Sequence, residues 1–548
     1  VSSNASESPS RLAVDVRRFP WIRRLAADYV YDFQSVAPFF AGDPADRTAW
    51  SQAIARVQAH ERPRAQIASA VGAQLERRGA PAPALDAARA LADRKTAAIV
   101  TGQQAGLFGG PLYTLLKALS AIKLAEKVAR DHQIPAVAVF WIEGEDHDWD
   151  EVRSCSVFDE HLATRTVALP PELMLEPCPV ASVRLDDSVT SAIAELEQSL
   201  AATEFREALV GDLRRFYTPG TGMAEAFGRW MDFVLGSRGL VVYDASDPDT
   251  KGLVSGIFTR ELLAPGETSR RAAGAGAELS SRGYHAQAQP QDGSPALFAL
   301  QGGREPIRAD GGRLQIGGHS YTASELVEEA REHPAGFSPN VLLRPIVQDS
   351  LFPTVCYVTG PNEIGYLGQL RGVYELFGVP MPLLYPRASA TIVDSAALRF
   401  LTRYQMSIES LQPRDEAALN ALLKAQIPPE VESSFAAVSQ TLESTMAELS
   451  KASSAVDPTL EGAAKSTLGR MQHDLHSLHG KIIQAAKRRD ETLKRQFTRT
   501  RALAFPNGDA QERAIAFVSF LNQYGPALID RLMAELPLDL GRHWVVAI

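Results

Sequence analysis

Two stretches carry residue types and spacings that could do chemistry. The first, "IEGEDHDWDE", sets Glu143, Glu145, Asp146, His147, Asp148, Asp150 and Glu151 close together. His147, Asp148 and Glu151 spell HDxxE, and on a helix His147 and Glu151, four apart, face the same way. Carboxylates around an imidazole suit a divalent metal or the orienting and deprotonation of an amine. The structural alternative is a helix start enriched in acids by the helix dipole. The second, "TGQQAGLFGGPLYTLLK", crowds Gly102, Gly106, Gly109 and Gly110 before Pro111. Glycine at that density implies a sharp turn or a close approach to the backbone. Pro111 suits a first helical turn. A helix N-terminus beside such a loop offers free N–H groups and a favourable dipole to an anion or a polar ligand head. The loop is neither a Walker A nor a GxGxxG sequence, so those phosphate fingerprints do not transfer. Lys117 either reaches back to the loop or is solvated. The alternative for the whole loop is a tight turn packing a helix on a sheet.

A third group lies farther along. Arg344, Gln348 and Asp349 precede an apolar strand. "TGPNEIGYLGQL" repeats the logic of the glycine loop: Thr359, Gly360 and Pro361 open a helix bearing Glu363, Tyr366 and Gln369. "YPRASAT" adds Arg387, Ser389 and Thr391. Two strand–Thr-Gly–helix motifs favour a pocket between them; capping and surface pairing are the alternatives. The basic run of Lys487, Arg488, Arg489, Lys494, Arg495, Arg499 and Arg501 reads as a solvated helix face, with a nucleotide or phosphate contact as the second reading. Cys155 and Cys356 have apolar neighbours and read as packing residues.

The elements that position these residues follow from hydrophobic periodicity. Residues 21–95 read as helices. "AAIVT" (97–101) is a buried strand, and a helix runs from Pro111 to about Arg130. "PAVAVFWIEG" (135–144) is the next strand. Strand, loop, helix, strand is a βαβ unit, with parallel strands and a right-handed crossover. Both motifs then sit at strand C-terminal ends, where open α/β sheets bind ligands. Residues 151–235 are mixed, and "GLVVYDAS" (239–246) is another strand. From 264 to 335 the glycine-punctuated composition suggests an insertion carrying hairpins. The α/β pattern resumes with a strand near 354–359, a helix near 362–377 and a strand near 381–385. Beyond 396 the chain is helical. Two long segments flank a turn at Asp457–Pro458, and Leu468, Met471, Leu475, Leu478, Ile482 and Ala485 form a heptad seam on a helix over about 459–503.

The bulk numbers set bounds. The chain has 548 residues, 45% of them hydrophobic, and a net charge of −9. That balance disfavours nucleic acid and anionic membranes as partners. No apolar run is long enough to span a membrane. The opening "VSSNASESPSRLAVDVRRF" reads as a polar, disordered tail without a signal-peptide core. Three cysteines, with no CxxC and no zinc spacing, fit a reducing cytoplasm.

"VTGQQAGLFGGPLYTLLKALSAI", "VFWIEGEDHDWDE", "LRPIVQDSLFPTVCYVTGPNEIGYLGQL" and "MPLLYPRASATIV" together resemble the bacillithiol biosynthesis cysteine-adding enzymes of bacteria, the BshC-like cysteine ligases. The likeness runs from "ADYVYDFQSVAPFF" to "QERAIAFVSFLNQYG". It implies an α/β fold: a Rossmann-like parallel-sheet core, inserted connective subdomains, a C-terminal α-helical coiled coil and a homodimer. The corresponding division is core over 1–150, 236–263 and 339–395, insertions over 151–235 and 264–338, coiled coil over 396–505 and returning helices over 506–548. The implied reaction joins the carboxyl of cysteine to the amine of glucosaminyl malate.

A carboxylate needs activation before it acylates an amine in water. Adenylation or phosphorylation by a nucleotide is the chemical expectation; ATP or ADP and a divalent metal are the cofactor candidates, with the cosubstrate left open. The faint likeness of the glycine loop to class I aminoacyl-tRNA synthetases lacks their paired histidines and is analogy only. On this reading Thr101, Gly102, Gln103, Gln104 and Gly106 hold an activated carboxyl or a sugar-substrate carboxylate. Asp146, His147, Asp148 and Glu151 orient and deprotonate the amine. Arg344 and Arg387 take the malate carboxylates with their planar forks. Tyr113, Lys117, Trp141, Gln348, Asp349, Gly360, Glu363, Tyr366, Gln369 and Ser389 complete the expected binding set. Two other classes stay open: a nucleotide-sugar or glycosyl transferase on the same core, and a coiled-coil scaffold without activity.

Overall fold

The computed structural model describes residues 11–290, 293–425, 429–489 and 491–548. They form two compact units, one of residues 11–392 with 510–548 and one of residues 393–509.

The first unit is built on a five-stranded sheet. Its strands are β1 (Ala97–Gln104), β2 (Ala136–Glu143), β3 (Val241–Asp244), β4 (Thr354–Thr359) and β5 (Leu383–Pro386). The order is β5-β4-β1-β2-β3, and every pairing is parallel. The apolar runs are buried on both faces, as parallel sheets require. Val100, Val139, Trp141, Val241 and Tyr243 join Ile67, Val71 and Leu75 in the core on one side. Helix α1 (Leu112–His132) packs against β1 and β2. The chain leaves β1 toward β2 and β3, then returns to β4 on the other side of β1. The switch point therefore lies between the C-terminal ends of β1 and β4.

Several elements differ from expectation. Arg11–Asp15, read as tail, is a strand paired antiparallel with Arg542–Ala547; residues 1–10 of that tail lie outside the described residues. Within the glycine-punctuated stretch, Glu267–Ser281 is a helix. Gly276 there lets the Gln369 amide approach: a Cβ would lie 2.8 Å from its nitrogen. Hairpin strands follow between Leu297 and Tyr321. Arg344, Gln348 and Asp349 precede β4 as expected, and they do so on a helix, α2 (Arg344–Leu351). The helix expected over 362–377 is two, Glu363–Leu367 and Arg371–Phe377.

In the second unit Pro429–Ser454 and Leu460–Arg489 pack against each other around the turn at Asp457. His479 Nε2 lies 2.9 Å from Glu432 Oε1 and its ring stacks on Phe435. Of the heptad seam, Leu468, Leu475 and Ile482 are partly buried, whereas Met471 and Leu478 are 43% and 54% exposed. Glu491–Ala504 continues as a further helix, where Arg499 pairs with Asp394. The side chains of Lys487, Arg488 and Arg489 lie outside the described residues.

Candidate active site

The glycine loop is held in place mainly by protein. A Cβ on Gly102 would lie 2.9 Å from the Trp141 carbonyl oxygen, so glycine here lets β1 close on β2. Gly109 has φ +98, and a Cβ would strike the Phe517 ring at 2.3 Å. The loop thus turns sharply because the segment after Ala510 packs on it. That segment is stitched in by backbone hydrogen bonds. Leu112 N–H donates to the Ile515 carbonyl at 2.8 Å, Phe517 N–H to Gly110 at 3.2 Å and Ala516 N–H to Ser156 at 2.8 Å. The first N–H of α1 is therefore engaged by protein, not left free for an anion.

What remains open is a cavity of about 250 Å³ beside the loop. Gln103, Gln104, Gly106, Tyr113, Glu151 and Arg513 are among its lining residues. The antiparallel hairpin Ser154–Phe158 with Thr164–Ala168 supplies another wall through Ser154, Cys155 and Ser156. Burial pushes the Cys155 thiol up to about 12, so it is a neutral packing group.

Gln104 joins the two signature stretches. It sits opposite Glu143 at the ends of β1 and β2. Its amide donates to Asp146 Oδ2 at 2.7 Å, and it shares the cavity wall with Glu151. Burial, then the neighbouring charge of Asp148, raises the Glu151 carboxyl above its ordinary value, making it a better proton acceptor. The rest of the acidic cluster disperses. Helix 149–152 begins after His147, so His147 and Glu151 do not share a helical face. Asp148 is the N-cap, accepting from Glu151 N–H at 3.2 Å. Glu145 turns inward to a buried ion pair with Lys251. His147 Nδ1 accepts from Arg304, 2.8 Å away, and Arg304 also lies 3.8 Å from Asp146. Arg304, from the hairpin insertion, thereby fixes the imidazole. Among the described residues no three His, Cys, Asp or Glu side chains are grouped to hold a metal.

Lys117 reaches back, as one of its two readings had it. Its ammonium donates to the Gly102 carbonyl at 2.8 Å, to Gln103 Oε1 at 3.3 Å and to Glu363 at 3.0 Å. Glu363 also accepts from the Gly360 N–H. Burial opposes the ionisation of Glu363, but Lys117 and that N–H outweigh it and hold its pKa below the usual value. The switch point between β1 and β4 is thus spanned by an ion pair, and the cavity lies on the other side of the loop. Gln103 connects the two, donating to Tyr113 Oη at 3.2 Å.

The remaining expected binding residues are engaged within the protein. Thr101 donates to the Val358 carbonyl at 2.9 Å and ties β1 to β4. Trp141 is core, packed against Tyr243 and Phe352. Gln369 bonds the backbone at Ala272 and Ala288. Gln348 donates to Asp349, which accepts from Tyr374 Oη at 2.5 Å. Arg344 pairs with Glu143 at 3.2 Å and donates to Tyr366 Oη at 2.9 Å. Arg387 forks onto Glu512 at 2.7 and 3.0 Å, and Ser389 lies between Glu512 and His543. Neither arginine is a free cation awaiting a carboxylate.

Besides Arg304, two contributors went unassigned in the sequence. Glu143 is raised by burial to about 7, with Arg344 opposing the shift; one fifth of its side chain is exposed. Arg513 arrives from the returning segment. Its signal was the polar triplet Gln511-Glu512-Arg513 ahead of an apolar run.

Comparison with known proteins agrees over both parts of the chain. Residues 13–388 match the family described as bacillithiol biosynthesis BshC, N-terminal Rossmann-like domain, and residues 390–548 match its C-terminal coiled-coil domain. A protein of Salinibacter ruber named "Putative cysteine ligase BshC" is 33% identical, covering 96% of each chain. One of the same name from Symbiobacterium thermophilum is 34% identical over 94% of this chain and 96% of its own. Another, from Chlorobaculum tepidum, is 34% identical over 80% of each. On these matches the chain belongs to the bacillithiol biosynthesis BshC family.

Proposed function

We propose that this chain is a cysteine ligase that joins the cysteine carboxyl to the amine of glucosaminyl malate. The observation that carries the reading is the meeting of the two signature stretches at Gln104, on the wall of the loop-side cavity. Activation of the carboxyl is the part supplied by a cosubstrate. The chain's residues bind, orient and move a proton. Gln103, Gln104 and Tyr113 offer amide and hydroxyl groups to the reacting ends. Glu151 takes a proton from the ammonium form of the amine, which must be neutral to attack. Asp146, fixed by Gln104, steadies the same charge. His147, held by Arg304, orients Asp146 and is a positioning residue.

Assembly and compartment follow from the same reading. Val438, Leu449, Met471 and Leu478 on the helical pair are apolar and about half exposed, which favours a second copy of the chain as their cover. Three free cysteines suit a reducing cytoplasm. Deleting the gene is expected to abolish the cellular thiol and accumulate glucosaminyl malate. Wild-type thiol levels after deletion would refute the reading. Consumption of a nucleotide sugar by the purified chain would favour a transferase.

A further inference from the structure

We propose that Arg513, with Thr114, is the carboxylate receptor of the loop-side cavity. The inference rests on the ligase reading above and adds to it the residues that select the substrate. Three observations carry it.

First, both arginines that the sequence offered for this task are engaged with internal carboxylates, Arg344 with Glu143 and Arg387 with Glu512. Arg513 lines the cavity, and among the described residues its guanidinium has no hydrogen-bond or ion-pair partner; it lies 5.7 Å from the centre of the Tyr113 ring. Second, its position is built. The neighbouring Gln511 clamps the backbone of Ile392 through two hydrogen bonds of 2.8 Å. Glu512 is buried on Arg387, Ser389 and the Ala390 N–H. Two anchored residues thus present the third, solvent-accessible one to the cavity. Third, Thr114 also lines the cavity, is fully buried, and its hydroxyl has no hydrogen-bond partner. A buried hydroxyl left unpaired is costly, and a ligand oxygen would satisfy it.

A guanidinium beside a hydroxyl donor matches a carboxylate. The cavity, at about 250 Å³, falls just under the usual range for whole ligands, roughly 300–1,000 Å³. It therefore receives one acidic arm of a substrate. Both substrates carry such an arm, the malate of the amine substrate and the carboxyl of cysteine.

The test is calorimetric titration of the full chain with glucosaminyl malate and, separately, with L-cysteine. Arg513→Gln is expected to weaken one of them about ten- to a hundredfold, and which one falls identifies the arm. Arg513→Lys is expected to recover part of the loss. Thr114→Val is expected to weaken the same ligand while the melting temperature of the unliganded protein holds or rises, since an unpaired hydroxyl is removed. A purely structural threonine would instead lose melting temperature. Wild-type affinity of folded Arg513→Gln for both compounds overturns the proposal. In a deletion strain, restoration of the thiol by the wild-type gene together with that result leaves the ligase reading standing; failure of the wild-type gene to restore it removes both.

Discussion

Gln104 is where the loop and the acidic cluster meet, through its bond to Asp146, and Glu151 is the proposed proton acceptor on the same cavity wall. Changing Glu151 to Gln keeps shape and removes the proton acceptor. Turnover, read as thiol formed per enzyme, is expected to fall about a hundredfold while the melting temperature at neutral pH holds or rises, since a carboxyl that burial disfavours in its charged form is removed. Glu143 makes a separate prediction. Its ordinary value is 4.5 and burial lifts it to about 7 in the fold. Between those values the folded state holds more protons than the unfolded one. The stability tied to this group is therefore complete below pH 4.5 and is lost as pH rises through 7, by about 3 kcal/mol. Urea unfolding at pH 5 and pH 8 should show Glu143→Gln gaining on the wild type at the higher pH; equal differences at both would contradict the assignment. At this scale the residue types were legible in sequence, but their partners were not. Arg344 and Arg387 looked like ligand forks because nothing local shows that Glu143 and Glu512 neutralise them across the fold.

Short elements position the site, and their anchors lie far away in sequence. The segment 511–517 is held at the cavity by the Glu512–Arg387 pair and by Phe517 packed on Gly109, together with its backbone hydrogen bonds. Arg387→Met leaves the Glu512 charge buried and unpaired, a change expected to cost about 3–5 kcal/mol, measured by denaturant unfolding. Combining it with Glu512→Gln should return part of that loss; no recovery would show the pair is not the anchor. The parallel strands at β1 and β2, the crossover helix and the strand near 354–359 were readable because long apolar runs and glycine punctuation are local signals. Glu267–Ser281 was not readable, because its glycines and serines imitate a loop. Gly276 is accounted for by the approach of Gln369 and Ala286, neither of them in that helix. The glycine loop shows the same limit. Its density suggested ligand contact, whereas Gly102 and Gly109 answer to Trp141 and Phe517.

For the whole molecule, the matched relatives extend over both the sheet-bearing part and the helical part, so the helical pair belongs to the working protein. Its exposed Met471 and Leu478 predict a second copy. Sedimentation should show a dimer for the wild type and a monomer for Met471→Glu with Leu478→Glu; a wild-type monomer would refute the assembly. The proposed chemistry converges on one place in the molecule, the cavity lined by Gln104, Tyr113 and Glu151. The most direct measurement is a crystal structure of the full chain soaked with glucosaminyl malate. Density for the compound is expected at that cavity, one arm inside it and the amine beside Glu151. Density at another site, with this cavity holding only solvent, would contradict it.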